Sequence, residues 1–488
     1  MSHHWAFEKK HLRGWLKTTP QQAPMFVGTM LGIGLALGQA PFGMWFVTLA
    51  IWTTTLLLLS KQKQWQHRLA FTLGLGMGHN LLLLSWIVNP FLVFPETSGW
   101  IAPWAWLGLS LSVTMFWVIP AVLASSRWGG ITQSLLFITG LLAGEWIRGN
   151  MGDWSFRWNL IGHIWVDTPM LQLARTSEMM LSIATLTMSL MLALLWQKKH
   201  KQAIATGLTC TALSTVSVFG PWAAQPRDIE RVVVRVVQPN IDQKDKWNRA
   251  RAQQQDQSLM EKIAHPANHP LNLIVLPETA TQNAFDTQSF PDAALQNALS
   301  HHQHTTHIIV GANRQDGTNL FNSLRVITQN GKIKGQHDKT RLTPFGETNP
   351  LHTALPFLFK TTGITGHSLD QGQNHQHLHV NGVGNIWPMI CYESTFPIPR
   401  EARNPTDLIL IITNDGWIGQ HTGPWQHLVA ARIRAVETGR QVLRVGNQGI
   451  TAHITERGDT TFLIAPNTNG FADWLIGDGK AKQISQQP

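Results

Sequence analysis

Seven apolar stretches follow one another in the first 225 residues, and then the pattern stops. They run at about 23 to 39, 42 to 60, 69 to 90, 100 to 124, 131 to 147, 179 to 197 and 203 to 222. The hydrocarbon layer of a bilayer is about 30 Å thick, and most of these stretches are long enough to cross it as helices. The first two are separated only by QAPFG, whose Pro41 and Gly43 suit a tight hairpin. The seventh, AIATGLTCTALSTVSVFGPWAA, is rich in threonine and the least apolar. Most of the 22 tryptophans lie in this half, whereas the remainder is rich in Asn, Gln, His, Asp and Thr. A chain of 488 residues with so sharp a change should hold at least two structural units.

Lys and Arg in short loops are retained on the cytoplasmic side of a membrane. Lys9, Lys10, Arg13 and Lys17 precede the first stretch, and Lys61, Lys63, Arg68, Arg127, Lys198, Lys199 and Lys201 fall on the same side. The opposite loops are nearly bare, apart from a longer one with Arg148 and Arg157. Seven spans from a cytoplasmic N-terminus deliver the polar half to the outer side; if the seventh did not span, that side would reverse. Basic residues ahead of the first stretch resemble a signal peptide, yet it runs into the second without a cleavage site and reads as a retained anchor. These flanks account for much of the formal charge of +10. No basic stripe with interleaved aromatics is present, so no nucleic-acid partner is expected.

The two cysteines, Cys210 in the seventh stretch and Cys391 in the polar half, cannot bridge if one lies in lipid and the other in a soluble core. No disulfide framework is expected, and Cys391 reads as a free thiol in an outer compartment.

From residue 231 the chain changes to short β-rich runs: RVVVRVVQPN, LNLIVLPETA, HTTHIIVGANR, NSLRVITQNGKI, VGNIWPMICYES, TDLILIITNDGW and RQVLRVGNQGITAHIT. Helical patterns lie between some of them, at 245 to 264 and 422 to 440. Runs apolar on both faces imply strands buried on both sides, as in sheets covered by helices.

Three reactive side chains stand at equivalent places in this series. Glu278 follows LIVLP, Lys339 follows a strand-like run and KGQHD, and Cys391 follows NIWPMI. Strand ends are where loops converge and ligands bind. Such a trio offers acyl transfer: a thiol needs a base or a nearby cation to become a nucleophile, a carboxylate can take its proton, and an ammonium can hold the negative oxygen of a tetrahedral intermediate. On the residues alone, a small buried cysteine, a solvated Pro-Glu turn and a surface lysine are equally open.

LPETA, DKTRLTPFGE, ICYES and TNDGW, in that order, resemble the Glu-Lys-Cys signature of the nitrilase (carbon-nitrogen hydrolase) superfamily. With the membrane half, whose GQAPFG, WIVNPFLV, GEWIRG and WNLIGHIWVDTPMLQLA are also similar, the chain resembles the apolipoprotein N-acyltransferases of Gram-negative bacteria over roughly residues 25 to 465. Together with the apolar stretches, the resemblance implies a multi-span α-helical membrane domain of about seven helices at 1–225 and an α-β-β-α nitrilase-like sandwich domain at 226–470; residues 471–488 read from their composition as a polar C-terminal tail. It implies Cys391 as nucleophile, Glu278 as general base and Lys339 as stabiliser of the tetrahedral intermediate. Glu347, Tyr392 and Glu393 match supporting residues, and Trp247 matches a tryptophan at the substrate entrance; Glu347 as a turn anchor and Trp247 as packing remain open.

The implied reaction moves an acyl chain from a phospholipid, typically phosphatidylethanolamine, to the cysteine sulfur and then to the α-amino group of the diacylglyceryl-cysteine of an apolipoprotein. Both partners are lipid-anchored, so the site is expected at the bilayer on the periplasmic side of the bacterial inner membrane. Neither a cofactor nor a metal is implied. A tethered amidase that hydrolyses the thioester, and a non-catalytic receptor on a decayed nitrilase fold, stay as alternatives.

Several positions depart from the family pattern. RWN with Arg157 stands where Pro-Trp is usual, Arg175 and Glu178 stand where small and aromatic residues are usual, and His337 stands for a tyrosine, Thr343 for a valine and Gly416 for an alanine. Relatives usually return to the membrane through one last span, whereas here the sequence runs out in DGKAKQISQQP, which leaves the C-terminus outside. The histidine runs HHQHTTH and HQHLH read as loop and strand residues, since no ordered carboxylates or cysteines accompany them. Glu145 and Arg148 lie three apart on one helical face, where both an orienting ion pair and a headgroup contact fit.

Overall fold

The computed structural model describes residues 23–62, 64–125, 129–246, 248–281, 285–286, 293–302, 306–348, 369–373 and 375–487. By its contacts the chain divides into two units, one reaching to Ala223 and including His421–Val429, the other comprising Ala224–Gln420 and the residues from Ala430 onward.

The first unit is helical. Its longer helices are α1 (Pro24–Ala36), α2 (Trp45–Leu59), α3 (Trp65–Leu83), α4 (Ala102–Ser125), α5 (Gly130–Gly149), α6 (Met179–Trp196) and α7 (His200–Phe219). Four are long and apolar enough to cross a membrane, or five if α3 and the bent segment Ser85–Leu92 after it, at 58°, form one broken span. α1 and α2 have 13 and 15 residues; at 1.5 Å per residue even α2 covers only about 22 Å. Of the seven stretches expected to span, these two are therefore the short ones.

α1 and α3 pack backbone to backbone. A Cβ at Gly28 would lie 2.2 Å from the Phe71 carbonyl oxygen, and one at Gly74 would lie 2.2 Å from that of Met25. Gly32 and Gly78 repeat the contact one turn on, which is the close approach that small residues four apart permit in lipid.

The second unit holds two sheets. The first runs β14-β13-β1-β2-β4-β5-β6, with β3 pairing on β4; the second runs β12-β11-β10-β9-β8-β7. The first sheet contains β1 (Val232–Gln238), β2 (Leu273–Val275), β3 (Phe285–Asp286), β4 (His307–Asp316), β5 (Asn319–Thr328), β6 (Ile333–Asp338), β13 (Gly470–Gly477) and β14 (Lys480–Gln487). The second contains β7 (Leu378–Val380), β8 (Gly384–Ile390), β9 (Leu408–Thr413), β10 (Gln441–Gly446), β11 (Thr451–Ile454) and β12 (Thr460–Ile464).

Alternation along the strands explains the layers. Val232, Val234 and Val236 of β1 enter one core with Ile386 and Ile390 of β8 and Leu408, Leu410 and Ile412 of β9, so the sheets share an apolar interior. Val237 and Ile274 face the other way and pack with Leu259 and Ile263 of α8 (Arg249–Ala264) and Leu295 and Leu299 of α9 (Ala293–Ser300). On that face Arg235 meets Asp473, opposite it in register, through bonds of 2.7 and 2.8 Å.

The expected polar tail is a correction. Gly470–Gly477 pairs antiparallel with β1, and Lys480–Gln487 pairs with it in turn. GFADWLIG reads as a strand once Ala472, Trp474 and Ile476 are seen in the shared core. The last strand is polar because it lies at the sheet edge, with charged side chains that discourage further pairing.

Candidate active site

Glu278 stands three residues past β2, Lys339 directly past β6 and Cys391 directly past β8. The structure brings the first two together with Glu347. The Lys339 ammonium lies 2.7 Å from Glu347 and 3.6 Å from Glu278. Asn322, on β5 beside β6, donates to both carboxylates at 2.7 and 2.8 Å, and the Thr343 amide donates to Glu347 at 2.8 Å. Burial alone would lower the Lys339 pKa, but Glu347 and Glu278 hold it well above the ordinary lysine value. Burial would likewise raise Glu347, yet Lys339, Thr343 and Asn322 keep its carboxyl below the usual range.

Cys391 occupies a left-handed backbone conformation, φ +50°, between the end of β8 and a 3₁₀ turn through Thr395. A side chain there costs about 1–2 kcal/mol, so surrounding contacts must hold it. Ser394 donates to the Cys391 carbonyl at 2.8 Å. Glu393 does more. It accepts from the Ile390 amide at 2.7 Å, from both the amide and the hydroxyl of Thr340 at 2.7 Å, and pairs with His337 at 3.0 Å. Thus one carboxylate ties the turn that carries the thiol to the segment that carries Lys339. Burial would raise Glu393, but His337 and these donors hold it far below the usual carboxylate range.

The thiol itself rests protonated. Burial first, then the Glu278 charge, pushes Cys391 up to about 12, against the opposing pull of Lys339. The residue as a whole keeps partial exposure, while the immediate surroundings of its sulfur disfavour charge. The site therefore groups a thiol pushed toward its protonated form with two buried carboxylates and a buried ammonium.

Tyr392 is buried and packs edge-on against Phe396, their ring centroids 5.3 Å apart. Trp247 lies outside the described residues. Lys246, beside it, was not singled out from the sequence, yet it is buried and donates to the Glu278 carbonyl at 3.3 Å. Asn322 was missed too, because a lone Asn inside a strand gives no catalytic signal. The HQHLH histidines bond locally: His375 to the Pro388 carbonyl at 2.6 Å, His377 to that of Ala402 at 3.1 Å and His379 to Asn385 at 3.0 Å. His337, His375 and Glu393 have ligating atoms within 4.8 Å of one another, but Glu393 already accepts four hydrogen bonds.

In the helical unit, Glu145 accepts from the Ile161 amide at 2.7 Å and from Ser182 at 2.8 Å, with Arg148 at 3.8 Å, all buried. Both charged groups thus face packed protein, which favours the orienting reading. Arg157 and Glu178, two departures from the family pattern, meet each other at 3.1 Å, and His163 joins Glu178 at 2.8 Å.

Strands that deliver a carboxylate, an amine and a thiol from two sheets sharing one core define a carbon–nitrogen hydrolase domain, and residues 233–473 match the family described as "Carbon-nitrogen hydrolase". Residues 31–191 match the "Apolipoprotein N-acyltransferase N-terminal domain". The chain is 30% identical over 501 residues to "Apolipoprotein N-acyltransferase" of Sinorhizobium medicae, covering 95% of this chain and 91% of that protein. It is 31% identical to the protein of that name from Rhizobium meliloti, covering 92% and 89%, and 29% identical to that from Caulobacter vibrioides, covering 88% and 83%. The chain belongs to the apolipoprotein N-acyltransferase family, with apolar helices consistent with a membrane protein.

Proposed function

We propose that this chain moves an acyl chain from a phospholipid, with phosphatidylethanolamine as donor, through a Cys391 thioester to the α-amino group of the diacylglyceryl-cysteine that begins an apolipoprotein. The convergence of Glu278, Lys339 and Glu347 near the left-handed Cys391 elbow carries this reading. The Glu278 carboxylate takes the thiol proton as the sulfur attacks the ester carbonyl, so a C–S bond forms and the carbonyl oxygen becomes negative. Lys339 faces that charge. The ester C–O bond then breaks, and the lysophospholipid oxygen takes the proton from Glu278. In the second half the amine nitrogen attacks the thioester, a C–N bond forms, the C–S bond breaks, and Glu278 carries the nitrogen's proton to the sulfur. Two half-reactions let two bulky lipids use one site in turn.

All seven apolar stretches are read as membrane-inserted, with an α-β-β-α polar domain on the periplasmic side of the inner membrane. Tyr392 and Glu393 support the nucleophile turn, and Trp247 is read as an entrance residue. Incubating purified protein with phosphatidylethanolamine should raise its intact mass by one acyl chain, and adding a diacylated lipopeptide should discharge it onto the peptide amine. Cys391→Ala should take no adduct. Release of free fatty acid without acylated peptide would overturn the reading in favour of a hydrolase.

A further inference from the structure

We propose that Lys246 is a second cation of the site, one that stays beside the negative charge as it passes from the Glu278 carboxylate to the Cys391 sulfur and on to the carbonyl oxygen; this rests on the acyl-transfer reading above. Lys339 cannot fill that place alone, because its ammonium is held at 2.7 Å by Glu347, a carboxylate that keeps its charge throughout. Lys246 is differently placed. Its side chain is buried, its Nζ donates to the Glu278 backbone oxygen at 3.3 Å, and among the described residues it makes no ion pair. Its charge is felt by both the Glu278 carboxylate and the Cys391 sulfur.

The placement is built. Asn447, just past β10, accepts from the Ile241 amide at 3.1 Å, donates to the Ile241 carbonyl at 3.0 Å, and receives the Asn240 amide on its own carbonyl at 3.0 Å. Asn414, just past β9, donates to Gln243 at 2.8 Å, and Asn447 donates to Asn414 at 3.0 Å. The Lys246 amide closes the loop onto the Asp242 carbonyl at 2.9 Å. The segment 240–246 is therefore fixed to the ends of strands that follow β8 in the sheet, and β8 is the strand that carries Cys391.

Charge counting gives the consequence. Glu278 and Glu347 set two negative charges against the positive charges of Lys339 and Lys246, and Asp415, whose charge also acts on the thiol, is matched by Arg444 at 2.7 Å. When the thiol proton moves to Glu278, the sum is unchanged and only the position of one negative charge shifts. A fixed ammonium near both positions lowers the cost of that shift without any reorganisation. Burial lowers Lys246 to about 8, which still leaves most of it charged at pH 7.

The test compares Lys246→Gln, which keeps a hydrogen-bond donor without charge, with Lys246→Arg, which keeps the charge. Alkylation of Cys391 by iodoacetamide at pH 7, followed at that residue by peptide mass, needs no lipid substrate. The Gln variant should be alkylated about threefold more slowly, because a one-unit rise in thiol pKa is half offset by greater thiolate nucleophilicity. It should also gain the acyl adduct about tenfold or more slowly, and the Arg variant should stay near wild type in both assays. Gln and Arg variants that behave alike, or a Gln variant alkylated at the wild-type rate, would overturn the role of Lys246. Wild-type protein that takes no adduct would instead overturn the acyl-transfer reading, and the alkylation comparison would still decide the charge effect.

Discussion

Lys339 lies closer to Glu347, at 2.7 Å, than to Glu278, at 3.6 Å, so the site's buried amine leans away from the carboxylate proposed as base. A base in full contact with an ammonium would resist protonation. Glu347→Gln should let Lys339 close on Glu278 and make proton uptake from the thiol harder. Acyl-adduct formation, timed by intact mass, is expected to fall about 100-fold. Since Glu347 is held below the usual carboxylate range, its charge is present throughout neutral pH and lost only in acid. A wild-type rate in the Gln variant would leave Glu347 as no more than a turn anchor.

The left-handed Cys391 predicts a split between stability and activity. Cys391→Ala keeps a Cβ at φ +50°, whereas Cys391→Gly removes the clash. The Gly variant should be more stable than the Ala variant by about 1 kcal/mol, read as a later thermal transition of purified protein. Neither should take an adduct. Equal melting of the two would mean that the elbow is unstrained.

His375 sets a pH dependence of stability. It stacks on Trp387 with centroids 4.0 Å apart, lies beside His337, and bonds the Pro388 carbonyl. Burial first, then the His337 and His377 charges, lowers it to about 4, while Glu393 and the Pro388 carbonyl pull the other way. An unfolded histidine titrates near 6.5, so the native state resists a proton that the unfolded chain accepts. Its contribution is complete above about pH 6.5 and is lost as pH falls toward 4, by about 2 kcal/mol after discounting for partial exposure. His375→Phe keeps a ring on Trp387 without this titration. The stability gap between variant and wild type should therefore shift in the variant's favour from pH 7 to pH 5; a constant gap would remove His375 as the source.

What could be read in the sequence depended on whether a residue's partners are local. Glu278, Lys339 and Cys391 were legible because each closes a strand-like run, and strand ends converge. β13 and β14 were not, because Lys480–Gln487 is polar at a sheet edge and its pairing with Gly470–Gly477 is set by β1, more than 200 residues earlier. Lys246 in QKDKWN carried no signal of its own; it is buried against the Glu278 carbonyl, and the segment before it is tied down by Asn414 and Asn447, far along the chain. The clamp made by Glu393 was hidden in the same way, since its partners His337 and Thr340 lie on another segment.

Arg157 and Glu178 look like separate disturbances of a membrane-facing surface when read one at a time, but in the folded chain each answers the other. Two guanidinium nitrogens of Arg157 reach Glu178 at 3.3 and 3.1 Å, with the Arg side chain 12% and the Glu side chain 2% exposed. His163 takes the other carboxylate oxygen at 2.8 Å, and Arg157 also donates to the Gly149 carbonyl at 3.1 Å. A buried charge that loses its partner costs about 3 kcal/mol, whereas removing both can cost little. Glu178→Gln and Arg157→Met should each lower the thermal transition in detergent, and the double variant should lose clearly less than the sum of the two. Additive losses would mean that the two residues act independently. Unchanged stability with altered use of phospholipid donors would instead make them part of the lipid entrance.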